Sequence, residues 1–260
     1  MKEEIKSSIC NGGFFLAFTI MMSCYLGYSL PTWIYSINWG SGFQEGALQL
    51  SIGGIFFGSS MLLLPFCASI SYSINQIDEY RSSVLIWKTV RSSTTAYAWS
   101  KILASMISAS LSSSLAFILH AYAWNIIVPP YKLEGYQQIT FDSNCIYALW
   151  NESPYAFPIY IWIAAGIAFC SAIWAVVALA VSVWFDDKLL TITIPVCIYY
   201  LWSCRITYYI GGYDIPHPAA LYNDALTFEQ ASQSVLVYAV LLVASIVVYL
   251  AGLKRRIQNA

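Results

Sequence analysis

Residues 157–209 read FPIYIWIAAGIAFCSAIWAVVALAVSVWFDDKLLTITIPVCIYYLWSCRITYY, two apolar runs parted by Phe185-Asp186-Asp187-Lys188. A helix needs about 20 mostly apolar residues to cross a hydrocarbon core of about 30 Å, so this stretch is too long for one crossing. Two adjacent acids and a lysine are expensive at the bilayer centre, which places the four residues at an interface, in a tight turn. The stretch therefore reads as two membrane spans, 157–184 and 189–209.

Working outward, four further runs have the length and apolarity of spans: 13–35, 50–72, 102–128 and 234–253. Composition agrees, since 59% of the 260 residues are hydrophobic and only 10% are charged. Soluble domains carry about a quarter charged residues, so this chain lacks a water-compatible surface. The expected fold is all-α and integral to a membrane, a single transmembrane domain over 1–260. The segments between spans are too short for a soluble domain of about 50 residues or more. The charged start Met1-Lys2-Glu3-Glu4-Ile5-Lys6 is followed by a run too long for a signal-peptide core, with no small-residue cleavage site, and reads as a retained helix.

Six alternating spans put Lys2, Lys6, Arg81, Lys88, Arg91, Lys101, Lys188, Lys254, Arg255 and Arg256 on one side. Lys132 falls on the other side, and Arg205 sits late in the fifth span. The positive-inside rule makes the basic side cytoplasmic, with both termini there. Acids fill the opposite loops: Glu45, Glu134, Asp142, Glu152, Asp214, Asp224 and Glu229. The loops at 129–156 and 210–233 are aromatic-rich, and no role for them is legible. A net charge of −1 gives no electrostatic pull toward nucleic acid.

Little in the chain points to catalysis. Gly58-Ser59-Ser60 lacks the Gly-x-Ser-Gly setting of intramembrane serine hydrolases. The serines of the third span read as bonding to their own helix. His120, toward the outer end of that span, and His217, in an outer loop, have no acid at useful spacing and read as interfacial. The seven cysteines form no CxxC or Cys/His cluster, so no disulfide framework or metal site is expected. Small residues lie in bands: Gly54 and Gly58 in the second span, Ser105, Ala109, Ser112 and Ala116 on one face of the third, and Ala164, Ala165, Gly166, Ala168, Ala172 and Ala175 in the fourth. Close helix packing is their expected role. Pro65 and Pro195 should kink the second and fifth spans.

The informative cytoplasmic stretch runs from Asp78 to Arg91. Ile77, Tyr80, Val84 and Trp87 recur at i, i+3, i+7 and i+10, an apolar stripe flanked by Asp78, Arg81, Ser82, Lys88 and Arg91. Acids lead and bases follow, as the helix dipole favours. Such a short amphipathic helix either lies in the lipid interface or docks in a groove on a partner.

Residues 78–101 resemble the loop between the second and third spans of type-2 ABC exporter permeases. An acid-led amphipathic helix is followed there by an arginine, a tyrosine and a lysine opening the third span, matched here by Arg91, Tyr97 and Lys101. Pro216-His217-Pro218-Ala219-Ala220-Leu221-Tyr222 is similar to the proline-containing outer segment that often precedes that family's sixth span. The usual Glu-x-x-x-Gly start of the loop is incomplete, with Glu79 present and Ser83 in the glycine's place. Length, six spans and topology also look like the family's small bacterial members, which export lantibiotics and other peptides.

The resemblance implies a permease subunit in a bacterial cytoplasmic membrane. Asp78, Glu79, Tyr80, Arg81, Val84, Trp87, Lys88 and Arg91 would form the coupling surface to a separate ABC ATPase. No Gly-x-x-x-x-Gly-Lys-Ser/Thr phosphate loop occurs, so ATP and magnesium would bind the partner chain and no cofactor is expected here. A second permease subunit, identical or related, would complete the path. The polar and aromatic fifth span would line it, with Tyr199, Tyr200, Ser203 and Arg205 as candidate substrate contacts; an aromatic belt with a snorkelling arginine is the plainer reading of those residues. The rival functions are a membrane scaffold or accessory protein and an ATP-independent small-molecule transporter.

Overall fold

A computed structural model describes residues 2–38, 44–56, 60–82, 87–88, 93–128, 136–137, 145, 157–203, 218, 221 and 227–259. The described architecture is helical apart from a two-residue parallel pairing of β1 (Gln44–Glu45) with β2 (Tyr136–Gln137) and an isolated bridge, Cys145 to Thr227. Among the described residues four helices are long and apolar enough to cross a membrane, and they mark the chain as a membrane protein.

The first is α2 (Gly12–Asn38), preceded by a short helix α1 (Lys2–Ile9). The chain breaks between them at Cys10–Asn11. Asn11 serves both sides of the break: its Oδ1 accepts from the Phe14 N–H at 2.7 Å, and its side-chain amide donates to the Ser8 carbonyl at 3.0 Å. The expected second span carries α3 (Ala47–Phe56) and α4 (Ser60–Ala68), and Pro65 lies inside α4. A π-helical turn, Ser69–Ser73, follows directly. Pro65 has no N–H to give the ladder, and, four residues on, Ser69 donates its hydroxyl back to the Pro65 carbonyl at 2.7 Å. The chain then continues as α5 (Asn75–Arg81).

The third long run forms α6 (Thr94–Ile127), which begins eight residues before the expected span because Ser93 caps it, accepting from the Ala96 N–H at 3.2 Å. α7 (Phe157–Trp184) occupies the centre, packed against α4, the π turn, α6, α8 (Lys188–Leu201) and α9 (Phe228–Asn259). Every residue from Ser171 to Ala180 is buried, which is why the stretch is apolar on all faces rather than on one stripe. The turn at 185–187 forms where the two acids place it. Asp187 caps α8, its Oδ1 accepting from the Leu189 N–H at 2.8 Å.

Small residues do the packing expected of them on α6, where Ser105, Ala109, Ser112 and Ala116 are all fully buried. On α7 the band is mixed: Ala164, Ala172 and Ala175 are buried, but Ala165 is exposed. Gly58 lies outside the described residues. His120 corrects the sequence reading. It is fully buried rather than interfacial, its ring 5.5 Å from that of Tyr25 and 6.3 Å from Trp124, because α6 turns that face onto α2. His217 lies outside the described residues.

Candidate functional site: a charged junction at one end of the bundle

Of the basic residues that the sequence segregates, Arg81, Lys88, Lys101, Lys188 and Arg256 meet acceptors at one end of the bundle. The centre is Lys101, in the second turn of α6 and fully buried. An ammonium has three hydrogens to donate, and each finds an acceptor: Glu4 Oε2 at 2.8 Å, Glu79 Oε1 at 2.7 Å and the Tyr72 hydroxyl at 2.9 Å. Lys88 bridges the same two carboxylates, 2.5 Å from Glu4 Oε1 and 2.8 Å from Glu79 Oε1. Tyr72 also donates to Glu4, and Tyr97 donates to Glu79 Oε2 at 2.8 Å. Two acids and two bases thus form a neutral, hydrogen-bonded quartet, the arrangement that makes buried charge tolerable.

Each member comes from a different element. Glu4 is in the first turn of α1, where the helix dipole favours an acid. Tyr72 projects from the π turn, Glu79 from α5, Lys88 from the helical pair Trp87–Lys88, and Tyr97 and Lys101 from α6. α1 is held further by the Ser108 hydroxyl, which donates to the Ser8 carbonyl at 2.9 Å. That bond is a second correction, because only some serines of α6 bond to their own helix: Ser100 to Tyr97, Ser110 to Met106, Ser112 to Ala109 and Ser114 to Ser110. Ser108 instead meets the crossing α1. Burial by itself raises the Glu4 carboxyl, but the hydrogen bonds and charge of Lys101, with those of Lys88 and Tyr72, hold it down at about 2. Burial works against the Lys88 ammonium as well, and its bonds to Glu4 and Glu79 outweigh it and raise the value.

A second layer ties the junction to the chain's last helix. Gln76 donates to the hydroxyls of Tyr80 at 2.5 Å and Tyr249 at 2.7 Å. The Arg256 guanidinium lies 4.5 Å over the Tyr80 ring, pairs with Asp186 at 2.7 Å and donates through Nε to the Val183 carbonyl. Arg81 donates to the Asp186 carbonyl at 2.6 Å, and Lys188 pairs with Asp78 at 2.7 Å. Burial, ahead of the neighbouring Tyr249, raises the Tyr80 phenol far above its ordinary value.

Six of the eight expected coupling residues are placed; Val84 and Arg91 lie outside the described residues. Glu79 and Lys88 turn into the quartet. Ile77, first of the apolar stripe, is fully buried, and Tyr80 packs under Arg256. Asp78, Arg81 and Trp87 stand outward, Trp87 with 68% of its surface uncovered. Of the candidate path residues, Tyr199 is buried with its ring 5.5 Å from Trp174, Tyr200 is exposed, and the Ser203 hydroxyl donates to the Tyr200 carbonyl at 3.2 Å. Arg205 lies outside the described residues. Pro218 and Leu221, of the outer proline segment, are buried, and Tyr238 donates to the Pro218 carbonyl at 2.6 Å.

Glu4 and Tyr72 were missed by sequence reasoning. Glu4 stands beside a second acid, Glu3, and nothing periodic singles it out as the partner of Lys101. Among the described residues no three His, Cys, Asp or Glu side chains gather to hold a metal. The junction fastens α1, the π turn, α5, Lys88 and α6 to one another. Comparison with protein-family models, curated proteins and solved structures finds no match.

Proposed function

We propose that this chain is the membrane-spanning permease subunit of an ATP-driven ABC exporter in a bacterial cytoplasmic membrane. On this reading six helices cross the bilayer, α3–α4 and α8 with its continuation supplying the second and fifth. The junction end is cytoplasmic, and both termini lie there. ATP and magnesium belong to a separate ATPase chain, and a second permease subunit completes the path. The cargo is amphipathic, a peptide or lipid-like molecule, with Tyr199, Tyr200, Ser203 and Arg205 as the candidate contacts along its path.

The observation that carries the reading is the attachment of α5 and Lys88. The quartet joins them to α1 and α6, and Arg81 and Asp78 join α5 to the α7–α8 turn. A partner pressing on Trp87 and Asp78 would move those helices together instead of bending a loop. Such rigid-body tilting is how ATP binding at a distance alters access to a cavity.

The chain is purified in mild detergent from its native membrane, and co-purifying proteins are identified and assayed for ATP hydrolysis. An ATPase that accompanies the native chain and is lost from Trp87→Ala supports the reading. A chain that purifies with no ATPase points instead to a scaffold or an ATP-independent transporter.

A further inference from the structure

At the corner where α7, α8 and α9 meet, two cations stand apart from the junction. Lys254 and Arg255 are exposed, and among the described residues neither is paired with a carboxylate. Their neighbour Arg256 differs, its charge taken by Asp186 and the Tyr80 ring. Arg255 is nonetheless held in place, its guanidinium 5.5 Å over the Trp184 ring. That ring is itself fixed. Its indole N–H points to the Val248 carbonyl at 3.4 Å, and its edge rests on Gly252, where an added Cβ would lie 2.9 Å from Nε1.

Below the cations the surface is apolar. Trp184 and Phe185 are each 44% uncovered and Leu189 is 72% uncovered. The apolar run of α9 ends at Leu253, immediately before the cations, so Lys254 and Arg255 sit at headgroup depth if α9 crosses a membrane. The remaining charges near the corner are Asp186, used by Arg256, Arg81, on the Asp186 carbonyl, Asp187, used as the cap of α8, and Lys188, paired with Asp78. A preset guanidinium, a second free ammonium and an apolar slope beneath them match a phosphate with acyl chains attached.

We propose that Lys254, Arg255 and Trp184 form a binding site for an anionic phospholipid of the leaflet at the junction end. Arg255 takes the phosphate through its planar fork, with Trp184 holding the fork in orientation; Lys254 adds a second positive charge. Phe185 and Leu189 lie along the acyl chains. The site depends on the membrane character of the chain alone and stands whether or not an ATPase is its partner.

The test titrates the full chain, in neutral detergent, with phosphatidylglycerol, phosphatidylcholine and glycerol 3-phosphate, reading bound lipid by native mass spectrometry. Phosphatidylglycerol should bind the native chain in preference to phosphatidylcholine. Each basic side chain near a membrane surface changes lipid affinity about fivefold, so the double variant K254Q/R255Q should bind about 30-fold more weakly. Trp184→Phe, which keeps an aromatic face, should retain more affinity than Trp184→Ala. Lys6→Gln, an exposed base elsewhere at the same end, should change nothing. Equal binding of the two lipids, full affinity in K254Q/R255Q, or an equal loss in Lys6→Gln would each overturn the site. Binding of glycerol 3-phosphate as tight as that of the lipid would show a soluble-anion site and overturn the lipid assignment.

Discussion

The ammonium of Lys101 lies 2.8 Å from a carboxylate oxygen of Glu4, a residue 97 positions earlier in the chain. Because Lys101 is fully buried, its charge depends on Glu4 and Glu79 together. Removing one partner of a buried ion pair typically costs 3–5 kcal/mol, since the other charge is left uncompensated. Lys101→Met leaves two carboxylates sharing Lys88 alone and should lower stability by about 4 kcal/mol. Adding Glu4→Gln restores a neutral balance, one acid with one base. The double variant E4Q/K101M should therefore be more stable than Lys101→Met, measured by thermal unfolding in detergent. If the second substitution lowers stability further, charge balance does not govern the junction.

The same quartet predicts a pH response with a definite sign. Glu4 ordinarily titrates near 4.5 and is held at about 2 in the folded chain. A carboxyl lowered by folding contributes its full stability above its unfolded value and loses it as the pH falls through the folded one. The stability gap between the native chain and Glu4→Gln should be full at pH 6 and shrink as the pH drops from 4.5 toward 2. Unfolding midpoints across that range measure it, and a gap that stays constant would remove Glu4 ionisation from the account.

How far this junction was readable from sequence differs by residue. Apolar length gave the long helices, since about 20 such residues have few other uses, and Asp186-Asp187 marked the turn between α7 and α8 because charge is excluded from the hydrocarbon. The shared side of Lys88, Lys101, Lys188 and Arg256 followed from span parity, and these residues do converge at one end. Their partners did not follow. Nothing periodic links Glu4 to Lys101, because the contact arises from α1 folding back at Asn11 across α6. The π turn that carries Tyr72 leaves no helical pattern either, because Ser69-Ile70-Ser71-Tyr72-Ser73 is buried on every face whatever its polarity. His120 misled for a related reason: a polar residue near a span's end reads as interfacial, and only tertiary packing on Tyr25 reveals otherwise.

Capping at the α7–α8 corner yields a graded expectation. Asp187 accepts from the Leu189 N–H through its side chain, satisfying one of the free donors at the start of α8. Asp187→Ala should cost about 1 kcal/mol, and Asp187→Asn, which keeps an acceptor, a few tenths at most. Thermal unfolding of the two variants side by side decides it. Equal losses would mean that charge, rather than the hydrogen bond, matters at this position.

One substitution should have opposite signs at two glycines. Gly252 is buried where α9 meets α7, and a Cβ there would strike the Val183 side chain and press on the Trp184 indole. Val183 is buried and β-branched, and the indole is stacked beneath Arg255, so neither has room to give. Gly252→Ala should therefore destabilise by about 1–3 kcal/mol, the usual cost of overpacking. Gly27, in the interior of α2, has nothing within 4 Å of the same added atom. Alanine there restricts the unfolded chain and suits the helix better, so Gly27→Ala should stabilise by about 0.5–1 kcal/mol. Unfolding midpoints for both variants in one detergent provide the comparison. A loss at Gly27 would mean that this bare face of α2 is covered by another molecule in the assembled protein; a gain at Gly252 would mean that α9 does not seat on Trp184 as described.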